Sequence, residues 1–121
     1  MDSRNQEFEL QRAFGRVVYS LAKIDGEVQQ IEKDVFDEVI ASHEWAQQVS
    51  ISFTEETKLD EDPNLVFLKA MKVFRAYGPS KHYEFFIDLL ERIAEAHDGI
   101  IPEERKMIDR FKETLLNRGN S

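Results

Sequence analysis

The sequence predicts an all-α helical bundle of five main helices, and three observations predict it. Apolar residues recur at helical spacing through five separate stretches. Only five Gly and three Pro are present, too few for a turn-rich β fold. Each proline (Pro63, Pro79, Pro102) falls at or just before an expected helix start. The 121 residues, 41% of them hydrophobic and nine of them Phe, suffice to fill one core, so a single domain over 1–121 is expected.

The first helix is expected over 6–23. Leu10, Phe14, Val17, Val18, Leu21 and Ala22 share a face, and Gly26 ends it because glycine tolerates the left-handed conformation of helix ends. The second, 29–45, has Ile31, Val35, Val39 and Ile40 as its stripe, with Phe36 beside them. Glu32, Asp34, Asp37 and Glu38 make its other side acidic, and Gln29 with Glu32 has capping-box spacing. Trp45 should pack near its end.

Residues 46–62 are the least regular. Val49, Ile51 and Phe53 alternate with Ser50 and Ser52 as in a strand, but an isolated strand is not stable. A loop or one extra short helix is expected there, with Phe53 in the core. Asp62 is a good N-cap and Pro63 suits a first helical position, so the third helix spans 63–77 and ends at Gly78-Pro79. The fourth, 80–96, carries the strong stripe Tyr83, Phe86, Ile87, Leu90, Ile93 and Ala94 and is the candidate central helix. The fifth runs from Pro102 to about Leu116, with Met107, Ile108, Phe111, Leu115 and Leu116 inward and Glu103 and Glu104 in its first turn, where the helix dipole favours carboxylates.

Ile24-Asp25-Gly26-Glu27-Val28, followed by Glu32, recurs 73 residues later as His97-Asp98-Gly99-Ile100-Ile101, followed by Glu103 and Glu104. Apolar positions on both sides match, so the chain reads as a duplicated helix–Asp-Gly loop–helix unit. Structurally, Asp bonds turn amides, Gly supplies positive φ, and Val28 and Ile101 plug each helix pair. Simple up-and-down topology, with helices two to four between the loops, puts them at opposite ends of the bundle, unless 46–62 takes a longer path.

The chemical reading is a hard-cation site. Asp25, Gly26, Val28 and Glu32 match positions 5, 6, 8 and 12 of an EF-hand calcium loop. Leu21 and Lys23 occupy positions 1 and 3, so two carboxylate ligands are missing, and Arg105 stands where the second copy needs the counterpart of Glu32. Degenerate calcium-responsive loops are thus the alternative reading. The candidate ligands are Asp25, Glu27 and Glu32 in the first copy, the stronger one, and Asp98 with Glu104 in the second. All are carboxylates, which suit Ca²⁺ or Mg²⁺.

Charge is uneven. Residues 25–62 hold twelve Asp/Glu and two Lys, whereas the remainder is slightly basic. Such a field repels nucleic acid and suits a cation or a basic protein partner. Without Cys there is no disulfide or thiolate chemistry. No apolar run reaches the roughly 18 residues of a membrane span, and the first residues lack the apolar stretch of a signal peptide, so a cytoplasmic protein without membrane insertion is expected. His43, His82 and His97 form no metal or catalytic motif, and no nucleophile or phosphate-loop motif occurs, so no catalytic residues are expected.

Leu21-Ala22-Lys23-Ile24-Asp25-Gly26-Glu27-Val28 with Glu32, and Ile93-Ala94-Glu95-Ala96-His97-Asp98-Gly99-Ile100-Ile101-Pro102-Glu103-Glu104-Arg105, resemble the tellurite-resistance TerB-like family. That family includes the N-terminal segment of membrane-anchored DnaJ-like co-chaperones, and the resemblance covers about Phe8 to Leu116. It implies an all-helical fold, no catalytic activity, an association with stress and metal-ion responses, action through protein partners, and acidic residues near the Asp-Gly loops as cation ligands. Ile24 and His97 depart from it, standing where Ala is common before the Asp.

Overall fold

The computed structural model describes residues 3–78, 80–96 and 99–117. Among them the chain forms six α-helices: α1 (Ser3–Lys23), α2 (Gln30–Ala41), α3 (Gln47–Leu59), α4 (Pro63–Tyr77), α5 (Tyr83–Glu95) and α6 (Pro102–Asn117). One 3₁₀ turn, Glu44–Ala46, joins α2 to α3. The all-α bundle is as expected. Of the two expectations for 46–62, a loop or an extra helix, the helix is the one that forms: the segment carries the thirteen-residue α3, one residue longer than α2.

The helix at the centre is α1, not the fourth expected helix. Its buried residues run all round it, from Leu10, Ala13 and Phe14 to Val17, Val18, Tyr19, Leu21 and Ala22. Its most extensive contacts are with α3 and α4. A hydrogen-bonded helix can be covered on every side because its backbone needs no outside partner. On the α3 side the approach is close. A Cβ on Gly15 would lie 2.5 Å from the Val49 carbonyl oxygen and 2.7 Å from Ser52 Cβ. Only glycine fits between those helices.

Polar pairs fix the register of α3 on α1. The buried Ser52 hydroxyl donates to the Arg12 carbonyl at 2.6 Å, Arg16 meets the buried Glu56 at 3.4 Å, and Lys23 meets Asp60 at 2.8 Å. Positions rise together, so the two helices are parallel. The apparent strand alternation therefore resolves as a helix with Val49, Ser52, Phe53 and Glu56 inward. Asp60 ends it in the left-handed conformation (φ 52°), and Asp62 caps α4 by accepting from Asn64 N–H at 3.3 Å. At the other end of α1, Gln6 Nε2 donates to the Tyr77 carbonyl, so α4 runs antiparallel.

The aromatic core joins these layers. Phe14 stacks on Phe86 at 4.2 Å, Phe74 meets Phe111 edge-on at 5.1 Å, and Phe36 meets Phe53 at 4.8 Å. Of the adjacent pair Phe85–Phe86, Phe86 is buried and Phe85 half-buried. Two expected core residues, Ile31 and Leu116, instead face solvent. For α2 this rotates the stripe toward Phe36 and Ile40 and turns Glu32 inward, so Glu32 does not belong to the acidic outer side. The second helix also stops at Ala41, earlier than expected.

Because α3 is a full helix, four helices separate the first Asp-Gly loop from the second. An even number of passes returns the chain to the same end. The expectation of loops at opposite ends of the bundle is thereby corrected.

Candidate functional site

Both loops turn where glycine is needed: Gly26 has φ 118° and Gly99 φ 90°. In the first, Gly26 N–H closes a turn on the Lys23 carbonyl at 2.9 Å. Asp25 and Glu27 are exposed, and Val28 packs on the core. Asp98 and His97 lie outside the described residues.

Beyond each loop a helix starts in the same way. Glu32 reaches back to accept from the Gln29 N–H at 3.3 Å, and Glu104 reaches back to accept from the Ile101 N–H at 3.2 Å. Each glutamate is thus the third helical residue, satisfying a backbone donor that the helix itself leaves unpaired. Past the glycines the residues that play the same part are therefore 72 positions apart, not 73, and the second loop is one residue shorter. Glu104, not Arg105, is the counterpart of Glu32. The aliphatic residue that packs on the core is Ile100, not Ile101, and it too matches Val28 at 72. Arg105 instead lies 4.0 Å from Asp109 on its own helix.

The two glutamates meet. Glu32 is 2% exposed and Glu104 4%, and the Glu104 carboxyl acts on Glu32 both through its charge and as a hydrogen-bonding neighbour. Two carboxylates can share a hydrogen bond only when one carries a proton. Burial is the main cause that pushes the Glu32 carboxyl up to about 7; the Gln29 N–H opposes this, while the charges of Glu104 and Asp25 add to it. Near neutral pH the Glu32 carboxyl therefore sits close to exchanging its proton.

Of the five candidate ligands, the fold brings Glu32 and Glu104 into contact and places Asp25 within electrostatic reach. Glu27 is felt instead at Lys23, on the other side of the loop. Among the described residues, no group of three or more His, Asp or Glu side chains is arranged to hold a metal ion. The shared helix-start position of the two glutamates, though not their contact, was within reach of the sequence. Ile101-Pro102-Glu103-Glu104 places a glutamate three residues after a helix-start position, as Gln29 to Glu32 does, with proline at the first helical position.

Beside the glutamates, a cleft of about 500 Å³ lies between α4 and α6, floored by Ile24, Phe67 and Met107 and edged by Lys106, Arg110 and Glu113. Ile24 and Glu103, which also line it, each directly precede a candidate ligand. No helix among the described residues is long and apolar enough to cross a membrane. Comparison with known proteins finds no match: no family model, no curated protein and no solved structure.

Proposed function

We propose that the chain is a non-enzymatic, TerB-like, stress-associated helical module that acts by binding a protein partner, and that the junction of its loops takes one divalent cation, Ca²⁺ or Mg²⁺. The observation that carries this reading is the meeting of two buried carboxyls, Glu32 and Glu104, with the proton of Glu32 held up to about 7. A pair that holds a proton between two inward carboxylates offers the same oxygens to a hard cation once the proton leaves. Asp25 adds charge at the loop, and Asp98 is the further candidate from the sequence. The cation then links the starts of α2 and α6, and the neighbouring α4–α6 cleft is the face through which a partner senses it. Binding is weak in this reading, because few carboxylates converge and the proton competes.

One shared site is favoured over two degenerate EF-hand loops. An EF-hand asks its last glutamate to ligate within its own loop. Here Glu32 turns to its own helix start and to Glu104.

Calorimetric titration with Ca²⁺ and Mg²⁺ at pH 8 tests the cation. The expected result is one site per chain, lost in both Glu32→Gln and Glu104→Gln. Two sites, or binding indifferent to both substitutions, would sink the shared site. For the partner, affinity capture in Ca²⁺ is compared with capture in chelator. A partner retained equally by Met107→Arg would remove the α4–α6 cleft from the proposal.

A further inference from the structure

At the other end of α1 a second joint is built from rings. Helix α2 stops at Ala41, and the 3₁₀ turn then presents Trp45. The turn before α5 presents His82: its N–H donates to Ser80 Oγ at 3.1 Å, and the Ser80 hydroxyl donates to Glu7 Oε1 of α1 at 3.2 Å. The His82 ring lies flat on Trp45, centroids 3.6 Å apart and planes 9° apart. Phe85 meets Trp45 edge-on at 5.1 Å, and His43 lies 5.9 Å from it. The His43 ring is tied back, its Nδ1 bonding the Val39 carbonyl at 2.8 Å. The stack thus joins three segments distant in sequence, and beside it lies a cleft of about 570 Å³ lined by Phe8, Gln11, Trp45, Gln48 and Lys81.

The charges facing His82 are Glu7 from α1, His43 from the segment after α2 and Lys81 from its own turn. Burial is the main cause holding the imidazole below its ordinary value; Glu7 opposes this, and Lys81 and His43 reinforce it. Geometry explains why Glu7 does not prevail. Its Oε2 is 3.9 Å from His82 Nε2, close enough to attract but too far to hydrogen-bond. In the stack the His82 side chain is 20% exposed, so an imidazolium gains that bond and fuller hydration by leaving it.

We propose that the Trp45–His82 stack is a proton-released latch, closed while His82 is neutral and opened by its protonation, which frees Trp45 and widens the cleft between α1 and the 3₁₀ turn. The device is independent of the cation site, from which it is separated by the length of α1.

Trp45 is the only tryptophan, so its fluorescence reports the latch alone. Acrylamide quenching is measured from pH 8 to 5, the range in which histidine titrates, with far-UV circular dichroism alongside. In the wild-type chain quenching should rise sigmoidally on acidification while helix content stays constant. His82→Phe, which keeps a flat ring but cannot titrate, should stay at the low, closed value throughout. His43→Phe should retain the rise, and Glu7→Gln should move its midpoint to lower pH. A flat wild-type curve, a rise that survives His82→Phe or disappears in His43→Phe, or loss of helix in step with the rise would each overturn the latch.

Discussion

The molecule joins its helices in two contrasting ways at opposite ends of α1, roughly 25 Å apart along that helix. At one end two buried carboxyls, Glu32 and Glu104, meet at the starts of α2 and α6. At the other, His82 is stacked on Trp45 at the start of α5. Burial acts on both and disfavours the charged form of each, but the charged forms are opposite. The carboxyl joint holds on to a proton, and the imidazole joint refuses one. The Glu32 carboxyl is raised from 4.5 to about 7, so its stabilising effect is fully present below 4.5 and is lost as pH rises through about 7. His82 is lowered from 6.5, so its effect is fully present above 6.5 and is lost as pH falls through the lower folded value. One protein thus carries two proton-linked joints of opposite sign.

The largest expected effect belongs to a substitution that touches neither joint. Gly15→Ala places a methyl group against the Val49 carbonyl and Ser52 Cβ, which belong to a helix and cannot rotate away. Overpacking of this kind costs about 1–3 kcal/mol. Denaturant melts at pH 5, 6.5 and 8 should show the same loss at each pH. A loss that varies with pH would mean that the α1–α3 contact, and not the two joints alone, sets the pH dependence.

Glu32→Gln comes next. The amide mimics the protonated carboxyl: it can accept from Gln29 N–H and donate to Glu104. Below pH 4.5 the variant should match the wild type. At pH 8 it should be more stable by on the order of 1–2 kcal/mol, less than the full linkage of the shift because an amide accepts the Gln29 N–H more weakly than the ionised carboxylate does. Thermal melts across pH 4.5–8.5 check this. A variant less stable than the wild type at pH 8 would show that the ionised pair is held by something the carboxyl joint does not contain.

What can be read from the chain ends where contacts between distant segments begin, and both joints lie beyond that line. Local signals were legible: the inward face of α1, Asp62 and Pro63 at the start of α4, and the two glycines at positive φ. The helix α3 is only one of two readings of its segment, because β-branched Val49 and Ile51 alternate with serines. Its buried Ser52 and Glu56 make sense only against Arg12 and Arg16, forty residues away. With 46–62 open between loop and helix, the ends at which the two loops lie are open too. Glu32 reads as a surface residue for a similar reason. Nothing near it in sequence shows that a second carboxyl, 72 residues on, will meet it in the interior. The Trp45–His82 stack likewise depends on contacts between distant segments, which helical periodicity cannot signal.

A divalent cation should act on the carboxyl joint alone. If Ca²⁺ replaces the shared proton, it stabilises the protein at pH 8 by about 1.4 kcal/mol at ten times its Kd, and by much less at pH 5, where the proton competes. Differential scanning calorimetry with Ca²⁺ and with chelator at both pH values measures the difference. Trp45 quenching at pH 8 should be unchanged by the metal. A fluorescence response to Ca²⁺ would show that the two ends communicate through α1 and would end the view of them as independent.

The smallest effect, and the sharpest test of the contrast, is His82→Phe at neutral pH. Phenylalanine is close to imidazole in shape and can keep the flat contact with Trp45, while the Glu7 attraction at 3.9 Å is already weak. Stability at pH 7 should therefore change by no more than about 0.5 kcal/mol, the range of substitutions that leave packing intact. The slope should change instead. Without a group that refuses a proton, the acid side of the stability profile loses its downward component, leaving the rise that Glu32 contributes as pH falls toward 4.5. The difference between the wild-type and His82→Phe profiles then isolates the histidine joint, just as Glu32→Gln isolates the carboxyl joint. If the double variant retains the pH dependence of either single variant between pH 5 and 8, the proton linkage resides in groups outside both joints.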